Sequence, residues 1–357
     1  MSTTPTSTTP TTATNTDEQH AAADGAVPTS MAAAVRHRYG TADMVAVEQV
    51  PTPEVGPAEV LIEVVAAGLD RGVCHLMTGT PYLLRLAGFG LLRPKQPVLG
   101  MDVAGHVVAV GASVTRFAPG DEVMGIATGS FAEYAVADEA KLAIRPTTLS
   151  FEEAAASTIS GITALQALTT VGGVEAGQRV LVIGASGGVG SFAVQIAKSL
   201  DATVTAVASS SKLDFVASLG ADVVVDYTTT ELADLDERFE LIIDIGGRTP
   251  LRHVRGLLTE RGTHVIVGGE NGGRFTGGIG RNLRAVVLSA FVRQRMTFFI
   301  SNESRTYIDP LVDLLAAGDV VAAIGQRVPL ADVADAIRAL DAGRTHGKTV
   351  ITVAEAG

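Results

Sequence analysis

The chain has 357 residues, of which 46% are hydrophobic, and its formal net charge at pH 7 is -11. This length accommodates two domains of roughly 100–200 residues, and the apolar fraction supports a large buried core. The acidic balance argues against nucleic acid as a partner, because neutralising phosphates requires a clustered basic face. We therefore expect a small-molecule substrate.

Residues 1–30 form a tail rich in Thr, Ser, Pro and Ala that lacks both Lys and Arg. Val27 is its only branched aliphatic residue, so the tail cannot bury enough apolar surface to offset the entropy of ordering. We expect it to be disordered. A secretory leader needs a basic start and an apolar block, and a mitochondrial leader needs Arg, so neither is expected.

The remaining targeting signals are also negative. Two long uncharged stretches, 154–174 and 180–197, are rich in Gly, Ser, Thr and Gln, so they do not predict a membrane span. The single cysteine, Cys74, allows no internal disulfide and agrees with a reducing compartment. We expect a cytoplasmic protein without a membrane partner.

From Val35 to about Ser150, short apolar runs are separated by Gly and Pro, which is typical of strands joined by turns. The predicted strands are 60–65, 102–110 and 131–136. This pattern predicts an antiparallel, partly barrelled β domain.

After Ser150 short apolar strands alternate with helices, which predicts a parallel sheet covered by helices on both faces. The predicted strands are 180–183, 204–208, 223–225, 241–243 and 264–267, and the predicted helices are 189–200, 212–219 and 251–258. From about Phe298 we expect a return to the first domain, through strand 298–300, helix 310–316 and strand 349–353. The expected domains are 31–155 with 300–357, and 156–299.

The most informative segment is a strand, 180–183, followed by a Gly-rich turn and at once by a helix. Set against G-x-G-x-x-G, the three positions are Ala185, Gly187 and Gly190. Gly187 lets the backbone approach a pyrophosphate, Gly190 lets the helix pack on the strand, and the helix N-terminus attracts phosphate. In this context the motif predicts a dinucleotide site made by Gly184, Ala185, Ser186, Gly187, Gly188, Val189 and Gly190.

The end of the next predicted strand indicates which dinucleotide binds. Folds that prefer NAD usually carry an acidic residue there to hold the ribose 2′-OH, but no Asp or Glu lies between Asp201 and Asp214. Ser209, Ser210 and Lys212 occupy the place instead, and they suit a 2′-phosphate, which a carboxylate would repel. These residues predict NADPH. They also fit a simple helix start, because Ser is a good N-cap.

The domain order and the Gly-Ala-Ser-Gly-Gly-Val-Gly turn resemble the zinc-independent medium-chain dehydrogenases/reductases, which include quinone oxidoreductases and zeta-crystallin. The resemblance covers about residues 31–353, with supporting blocks at 97–105, 117–123, 129–134 and 154–165. It implies an α/β fold, with a GroES-like β domain and a doubly wound Rossmann domain. It also implies hydride transfer from NADPH to a quinone or α,β-unsaturated carbonyl. An enoyl-thioester reductase and a non-catalytic NADPH-binding sensor or structural protein are the alternatives.

The same resemblance locates the positions at which zinc members of the superfamily hold their metal. Cys74, followed by His75, matches the first ligand, but the second and third positions hold Met101 and Ser160. A thioether and a hydroxyl are poor zinc ligands. We therefore expect no metal, and we expect Cys74 and His75 to be packing residues.

Carried over residue by residue, the resemblance implies further cofactor contacts. Tyr227 would join Lys212 and a serine at the 2′-phosphate, and Thr163 would lie near the nicotinamide ribose or phosphate. The remaining implied contacts are Gly246, Gly268, Gly269 and Lys348. An equal alternative makes Lys348 a solvated turn residue.

The sequence contains no convincing proton donor. Where the family often has Asn, this chain has Asp70, which we expect either to pair with Arg71 or to lie by the nicotinamide ring. Asp70 and Tyr82 are the candidate catalytic residues, and water is a third possibility. The apolar stretch 82–92 is expected either to line or cover the substrate site or to form a core helix.

The parallel sheet should end in an apolar edge near residues 296–300. An exposed apolar edge favours pairing with a second copy, and members of the superfamily commonly join their sheets there, so we expect a homodimer. The alternative is a monomer in which Phe298 and Ile300 face the core. Its edge would then be blunted by Arg293, Arg295 and Glu303.

Overall fold

The structure is a computed structural model that describes Met1 and residues 27–83, 85–269, 273, 275 and 277–354. Most of the tail that we expected to be disordered, residues 2–26, lies outside the described residues. The last part of that tail is tied down, because Pro28 and Thr29 accept hydrogen bonds from Thr52. Ser30 already belongs to the first strand, so the expected boundary at Met31 is slightly late.

The first region of the chain is mostly β structure. Its elements are β1 (Ser30–Val35), β2 (Ala46–Pro51), β3 (Glu59–Leu69), α1 (Arg71–Thr78), β4 (Asp102–Val110), β5 (Glu122–Ile126), β6 (Tyr134–Asp138) and β7 (Leu142–Ile144). All pairings among these strands are antiparallel, as predicted. The strand expected from residue 131 begins instead at Tyr134.

The second region alternates strands and helices. Its elements are α2 (Phe151–Ala155), α3 (Thr158–Gln166), β8 (Arg179–Ile183), α4 (Gly188–Ser199), β9 (Thr203–Ala208), α5 (Leu213–Ser218), β10 (Val223–Asp226), β11 (Phe239–Asp244), α6 (Leu251–Leu257), β12 (Leu258–Ile266), α7 (Ile279–Ser289) and β13 (Arg295–Phe298). Among the described residues the strands form one parallel sheet in the order β10-β9-β8-β11-β12-β13. The expected Rossmann architecture is confirmed.

The third region returns to the first sheet. Its elements are α8 (Arg305–Ala317), β14 (Ile324–Pro329), α9 (Val333–Asp341) and β15 (Lys348–Thr352). β15 pairs antiparallel with β3, so the described part of the larger β sheet runs β14-β15-β3-β4-β5-β7, with β6 on β3. The predicted strand 298–300 is wrong, because β13 ends at Phe298 and pairs with β12 of the parallel sheet. Helix α8 also begins at Arg305 rather than at Pro310, and an Arg305–Asp309 ion pair spans its first turn.

Burial explains why these segments adopt their structures. Val180 to Ile183 of β8 are all buried, as expected for a central parallel strand with helices on both faces. Phe192 of α4 is fully buried against this sheet, in a cluster that includes α3 and α8. No helix among the described residues is long and apolar enough to cross a membrane.

The stretch 82–92 is not a core helix. Arg85–Phe89 forms a short π-helical turn that is interrupted at Gly88, where φ is +110°. Leu86 and Leu92 are 72% and 85% exposed, so the prediction of a core helix is wrong. The apolar composition of the stretch therefore reflects a surface feature rather than packing inside the fold.

Candidate active site

A cavity of about 540 Å³ opens at the carboxyl ends of the central parallel strands. β8 lies between β9 and β11 in the sheet, so the chain leaves β8 at the point where the strand order reverses. Ligands of such sheets bind at this point. Leu69 at the end of β3 and Lys348 at the start of β15 line the same cavity, so both sheets contribute to its wall.

The Gly-rich turn forms part of the cavity wall. Gly184 follows β8 with φ of +89°, a backbone conformation that favours glycine. A Cβ on Gly190 would lie 2.2 Å from the Gly184 carbonyl oxygen, so only glycine allows α4 to approach the strand. A Cβ on Gly187 would have the Gly184 oxygen at 3.7 Å as its only near neighbour, so that position faces open space. These two glycines have the geometry that we predicted for them.

The predicted phosphate-binding residues divide into two groups. Five of them line the cavity, namely Gly184, Ser186, Gly187, Gly188 and Val189. The other two, Ala185 and Gly190, are buried behind the turn, where the Ala185 N–H donates to the Val207 carbonyl. The first N–H groups of α4 therefore lie at the cavity wall, where the helix dipole favours an anion.

The predicted 2′-phosphate residues are only partly assembled. Ser209, Lys212 and Tyr227 line the cavity. The Lys212 ammonium donates to the carbonyls of Gly343 and Thr345, at 3.0 and 2.6 Å. Its partial burial lowers the pKa of Lys212 from the ordinary value. A lysine held in this way is positioned to present its charge to the cavity.

Ser210 differs from its neighbours, because it is not among the residues that line the cavity. Its hydroxyl donates to the Asp226 carboxylate at 2.5 Å, and this bond, with those from Thr228, lowers the pKa of Asp226. The sequence lacks an acid near Ser210, but the fold brings Asp226 there from the end of the next strand. Ser210 is therefore a partner of Asp226, and its predicted contact with the cofactor is not supported by this geometry.

A buried polar cluster lies directly beside the Gly-rich turn at the cavity. The Lys348 ammonium donates to Asp102 Oδ2 at 3.1 Å and to Ser160 Oγ at 3.2 Å, and we call these three residues the Lys348 cluster. Lys348 is only 1% exposed, so its interpretation as a solvated turn residue is wrong. Burial raises the pKa of Asp102 to about 7, although the Lys348 ammonium opposes the shift. The Ile159 N–H also donates to Asp102 Oδ1, at 2.8 Å.

Asp70 lines the cavity next to Leu69. Its Oδ1 accepts a hydrogen bond of 2.7 Å from the Gly72 N–H and so caps α1. Its Oδ2 is buried and has no hydrogen-bond partner within the protein. Arg71 forms an ion pair with Asp341, at 3.2 Å. Asp70 therefore lies beside the cavity, and its two expected roles, pairing with Arg71 or lying by the nicotinamide ring, stay predictions.

Several predicted residues do not line the cavity. Thr163 donates to the Ile159 carbonyl within its own helix, at 2.7 Å. The ring of Tyr82 packs edge-on against Phe275, with ring centroids 5.2 Å apart. Gly268 is confined by packing, because a Cβ there would lie 2.0 Å from the Ile245 carbonyl oxygen, and Gly269 packs against Gly278. Gly246, in contrast, lines the cavity as predicted.

The positions of the zinc ligands are occupied in a way that disfavours a cation. Ser160 accepts a hydrogen bond from the Lys348 ammonium, so a positive charge already lies at the third ligand position. Cys74 is buried in the core of the β domain, beside Val73 and Met77. Among the described residues no group of three His, Cys, Asp or Glu side chains is placed to hold a metal. The absence of zinc stays a prediction, and the Lys348 ammonium is its physical support.

The loop after β11 contributes a wall that our sequence analysis missed. Its lining residues are Ile245, Arg248, Thr249, Pro250 and His253. The loop is held from behind by Asp244, which accepts hydrogen bonds from the Gly247 N–H and from Arg281. Burial opposes ionisation of Asp244, but the contacts with His264 and Arg281 outweigh it and lower the pKa of Asp244. A buried aspartate that ends an apolar strand was the available sequence signal.

Known proteins share both the sequence pattern and the fold. Residues 56–147 match the alcohol dehydrogenase GroES-like domain, and residues 219–351 match the family described as zinc-binding dehydrogenase. The chain is 32% identical to the 2-methylene-furan-3-one reductase of Solanum lycopersicum, over 91% of this chain and 80% of that protein. It belongs to the quinone oxidoreductase family of medium-chain dehydrogenases/reductases.

Two further proteins describe the neighbourhood of this medium-chain reductase. It is 30% identical to the NADPH-dependent alkenal/one oxidoreductase of Arabidopsis thaliana, over 92% of this chain and 81% of that protein. The structure of the quinone oxidoreductase from Coxiella burnetii matches it with a TM-score of 0.80 and 26% identity, over 91% of this chain and 100% of that one. The expected family and the expected fold class are confirmed.

Proposed function

We propose that this medium-chain reductase transfers hydride from NADPH to a quinone or to an α,β-unsaturated carbonyl compound. The observation that carries the proposal is one cavity whose wall contains both the Gly-rich turn and, directly beside it, Lys348 and Ser160. The similar proteins are named as a 2-methylene-furan-3-one reductase, an NADPH-dependent alkenal/one oxidoreductase and a quinone oxidoreductase. All three names describe reduction of a compound of this chemical class.

The cavity fits a dinucleotide phosphate. The pyrophosphate would lie over Gly187 and Gly188, where a side chain would fill the space and where free N–H groups begin α4. Ser209, Lys212 and Tyr227 would hold the adenosine end with its 2′-phosphate. Gly246 borders the same cavity. When bound there, NADPH supplies the hydride, and the protein contributes orientation and a closed site.

The Lys348 cluster positions the parts of the site relative to one another. It joins β15 and β4, which are strands of the larger β sheet, to the start of α3, a helix that precedes the parallel sheet in the chain. A Cβ on Gly188 would lie 2.9 Å from Lys348 Cδ, so the lysine stem packs directly against the Gly-rich turn. The ammonium therefore keeps a fixed positive charge close to the first residues of α4. Fixed charges of this kind act strongly because the site is shielded from water.

Asp70 is the candidate for holding a proton at the reaction site, through the buried Oδ2 that has no partner within the protein. Tyr82 is not suited to this role in the described geometry, because it packs against Phe275 and does not line the cavity. Water is the other proton source that the cavity admits. An Asp70→Asn variant separates the two, because it should slow turnover while leaving the affinity for NADPH unchanged.

Steady-state turnover tests the proposed function. The purified protein should consume NADPH when benzoquinone or a simple enone is added, and a saturated ketone should be a much poorer substrate. Binding of NADPH without turnover on a panel of quinones and enones would instead support the non-catalytic alternative. Turnover confined to enoyl thioesters would support the other alternative.

We also propose that the protein is a homodimer. β13 is the edge strand of the parallel sheet, and Ile300 beside it is 89% exposed, so the monomer with Ile300 in its core is not supported. Leu283, Val287 and Phe291 extend the apolar surface along α7 and the turn after it. Light scattering should give about twice the chain mass of 36.7 kDa, and Phe291→Asp with Ile300→Asp should halve it. A wild-type mass near 36.7 kDa would contradict the proposal.

The remaining assignments are also proposals. The single cysteine supports a cytoplasmic location, which cell fractionation would test. The domain boundaries 31–155 with 300–357, and 156–299, are supported by the strands, since β8 to β13 lie between residues 179 and 298. Limited proteolysis should cut first near those boundaries rather than inside either sheet.

A further inference from the structure

The stretch from residue 83 to residue 92 presents an apolar surface to solvent, and we call its described residues the leucine loop. The exposed side chains are Leu83, Leu86, Phe89, Leu91 and Leu92. Phe275 adds to this surface, because it is 74% exposed and its carbonyl accepts a hydrogen bond from the Leu83 N–H. Soluble surfaces rarely leave so many large apolar side chains together without a binding role.

The leucine loop is held in this arrangement by contacts on its inner side. The Arg85 guanidinium donates to the carbonyls of Gly79 and Thr78, and it stacks 4.2 Å from the Tyr39 ring centroid and 4.5 Å from that of Tyr82. The Tyr39 hydroxyl donates to the Gly90 carbonyl at 2.7 Å. The polar groups of the loop are thus bonded inward, which leaves the apolar side chains on the outer face.

The charge around the loop is opposite to that of the whole protein. The chain has a net charge of -11, yet no Asp or Glu occurs from Arg71 to Met101. Arg93 and Lys95 are exposed directly after the loop. An apolar surface bordered by basic residues is complementary to an anionic lipid surface, which accepts apolar side chains between its headgroups and offers phosphates to the basic ones.

Contrary to our expectation of no membrane partner, we propose that the leucine loop and Phe275 dock this protein onto an anionic lipid surface. The leucines would enter the boundary between headgroups and acyl chains, and Arg93 and Lys95 would contact lipid phosphates, with their stems extended along the membrane surface. A second copy of the chain is a poorer occupant. Two-fold symmetric pairing through this loop would bring the basic residues of one copy close to those of the other. Lipid binding does not require hydride transfer, so the proposal stands or fails apart from the proposed function.

Sedimentation of the full chain with lipid vesicles tests the proposal. The protein should sediment with vesicles of phosphatidylcholine mixed with phosphatidylglycerol, and much less with phosphatidylcholine alone. Added salt should weaken the binding, because it screens the charge contribution. A parallel run without vesicles measures self-association. Failure of the wild-type chain to sediment with either vesicle would overturn the proposal.

Two variants act on the two parts of the surface. Leu86→Asp with Leu92→Asp should raise the dissociation constant by roughly tenfold for each leucine. Arg93→Gln with Lys95→Gln should raise it by roughly five-fold for each charge, and it keeps the proposal testable if the first variant does not fold. The variant with Arg93→Gln and Lys95→Gln should retain wild-type NADPH oxidation in solution, because these two residues lie outside the stretch 82–92. Unchanged vesicle binding by the folded variants would overturn the proposal.

Val321→Asp is the matched control, because Val321 is an exposed apolar residue on a different loop, between α8 and β14. It should bind vesicles as the wild type does, and a comparable loss in this variant would show that the binding is non-specific and overturn the proposal. Light scattering completes the test. A fall in mass caused by the leucine variant alone, together with no vesicle binding by the wild type, would assign the loop to a second copy.

Discussion

The Gly-rich turn and the Lys348 cluster lie side by side at the cavity and are built on opposite principles. The Gly-rich turn is made of consecutive residues, from Gly184 to Gly190, and it offers the backbone N–H groups that begin α4. The Lys348 cluster is made of side-chain charges, and the bond from Lys348 to Asp102 joins residues 246 positions apart. The turn therefore depends on the absence of Cβ atoms, and the cluster depends on the placement of buried charge.

The Gly-rich turn and the Lys348 cluster therefore tolerate different kinds of substitution. A backbone site is indifferent to charge but fails when a side chain enters the space that a glycine leaves open. A buried charged cluster tolerates no change of charge, because a partner left alone in the interior has lost its water and its counterion. The substitutions below separate the two cases.

The largest effect is expected for Asp102→Asn above about pH 7, where Asp102 is ionised in the wild type and the substitution leaves the Lys348 ammonium buried without its carboxylate. Breaking a buried pair costs about 3–5 kcal/mol, and we expect the free energy of unfolding in urea to fall by that amount. Asp222→Asn is the matched control, because it breaks the more exposed Lys198–Asp222 pair and should cost only about 1 kcal/mol. Equal losses of unfolding free energy in the two variants would show that the Lys348–Asp102 pair contributes no more to stability than an exposed pair does.

At the residues that would hold the adenosine end of NADPH, a change of charge should alter cofactor binding rather than the stability of the fold. Lys212→Ala should weaken NADPH binding by about 1.5–3 kcal/mol, the value of a charge-assisted hydrogen bond, and should leave NADH binding unchanged. Fluorescence titration of both cofactors measures the two constants. If both weaken alike, Lys212 acts through the carbonyls of Gly343 and Thr345 and not through a 2′-phosphate.

Gly190→Ala tests the Gly-rich turn. The new Cβ would lie 2.2 Å from the Gly184 oxygen, so α4 must move away from the strand, and overpacking of this kind costs about 1–3 kcal/mol. NADPH binding should weaken as well, because the helix N-terminus moves with α4. Gly187→Ala is the control: its Cβ meets nothing closer than 3.7 Å, so stability should be kept while binding is lost. Normal NADPH binding by Gly187→Ala would contradict the proposed position of the pyrophosphate.

The Lys348 cluster should also show an unusual dependence of stability on pH. The folded-state pKa of Asp102, about 7, lies above its ordinary value of 3.8, so the folded protein holds this proton more tightly than the unfolded chain. This group therefore stabilises the fold at low pH, and its contribution is lost as the pH rises from about 4 to about 7. Lys348→Met removes the charge that opposes the shift and so raises this pKa further, and its melting temperature should go on falling above about pH 7, where the contribution of Asp102 in the wild type is already lost. Parallel melting curves of the two proteins would contradict this assignment.

The smallest effect is expected from chelators. Ser160, at the third ligand position, already accepts a hydrogen bond from the Lys348 ammonium. Incubation with a strong chelator should therefore leave activity and melting temperature unchanged. Elemental analysis should find no stoichiometric zinc. One tightly bound zinc per chain would mean that Lys348 moves away from Ser160 in solution.

The local features of this protein were predictable from its sequence. The parallel strands appear as continuous apolar runs, and the turn from Gly184 to Gly190 follows one of them and begins a helix at once. Helix starts, strand runs and glycine turns depend on neighbours within a few residues, so their residues are visible together in the chain. The helix over 189–200 and the strand over 180–183 differ from the structure by a single residue at their boundaries.

Tertiary structure decided the features that depend on distant residues. Asp102 looks like an ordinary strand residue, and Lys348 like a cofactor contact or a turn residue, until β3 pairs with both β4 and β15. Ser210 looks available for a phosphate until Asp226 reaches it. The leucine loop has the composition of a core helix. Only the contacts that its Arg85 and Gly90 make with Tyr39 show which side of the loop faces outward.

The family, the two kinds of sheet and the Gly-rich turn could be predicted from the sequence. Each of these depends on the local order of residue types along the chain. The tertiary structure alone decided where the charges meet and which apolar side chains stay exposed. A buried ion pair and an uncovered apolar surface are properties of distances between elements, and those distances exist only after the chain has folded.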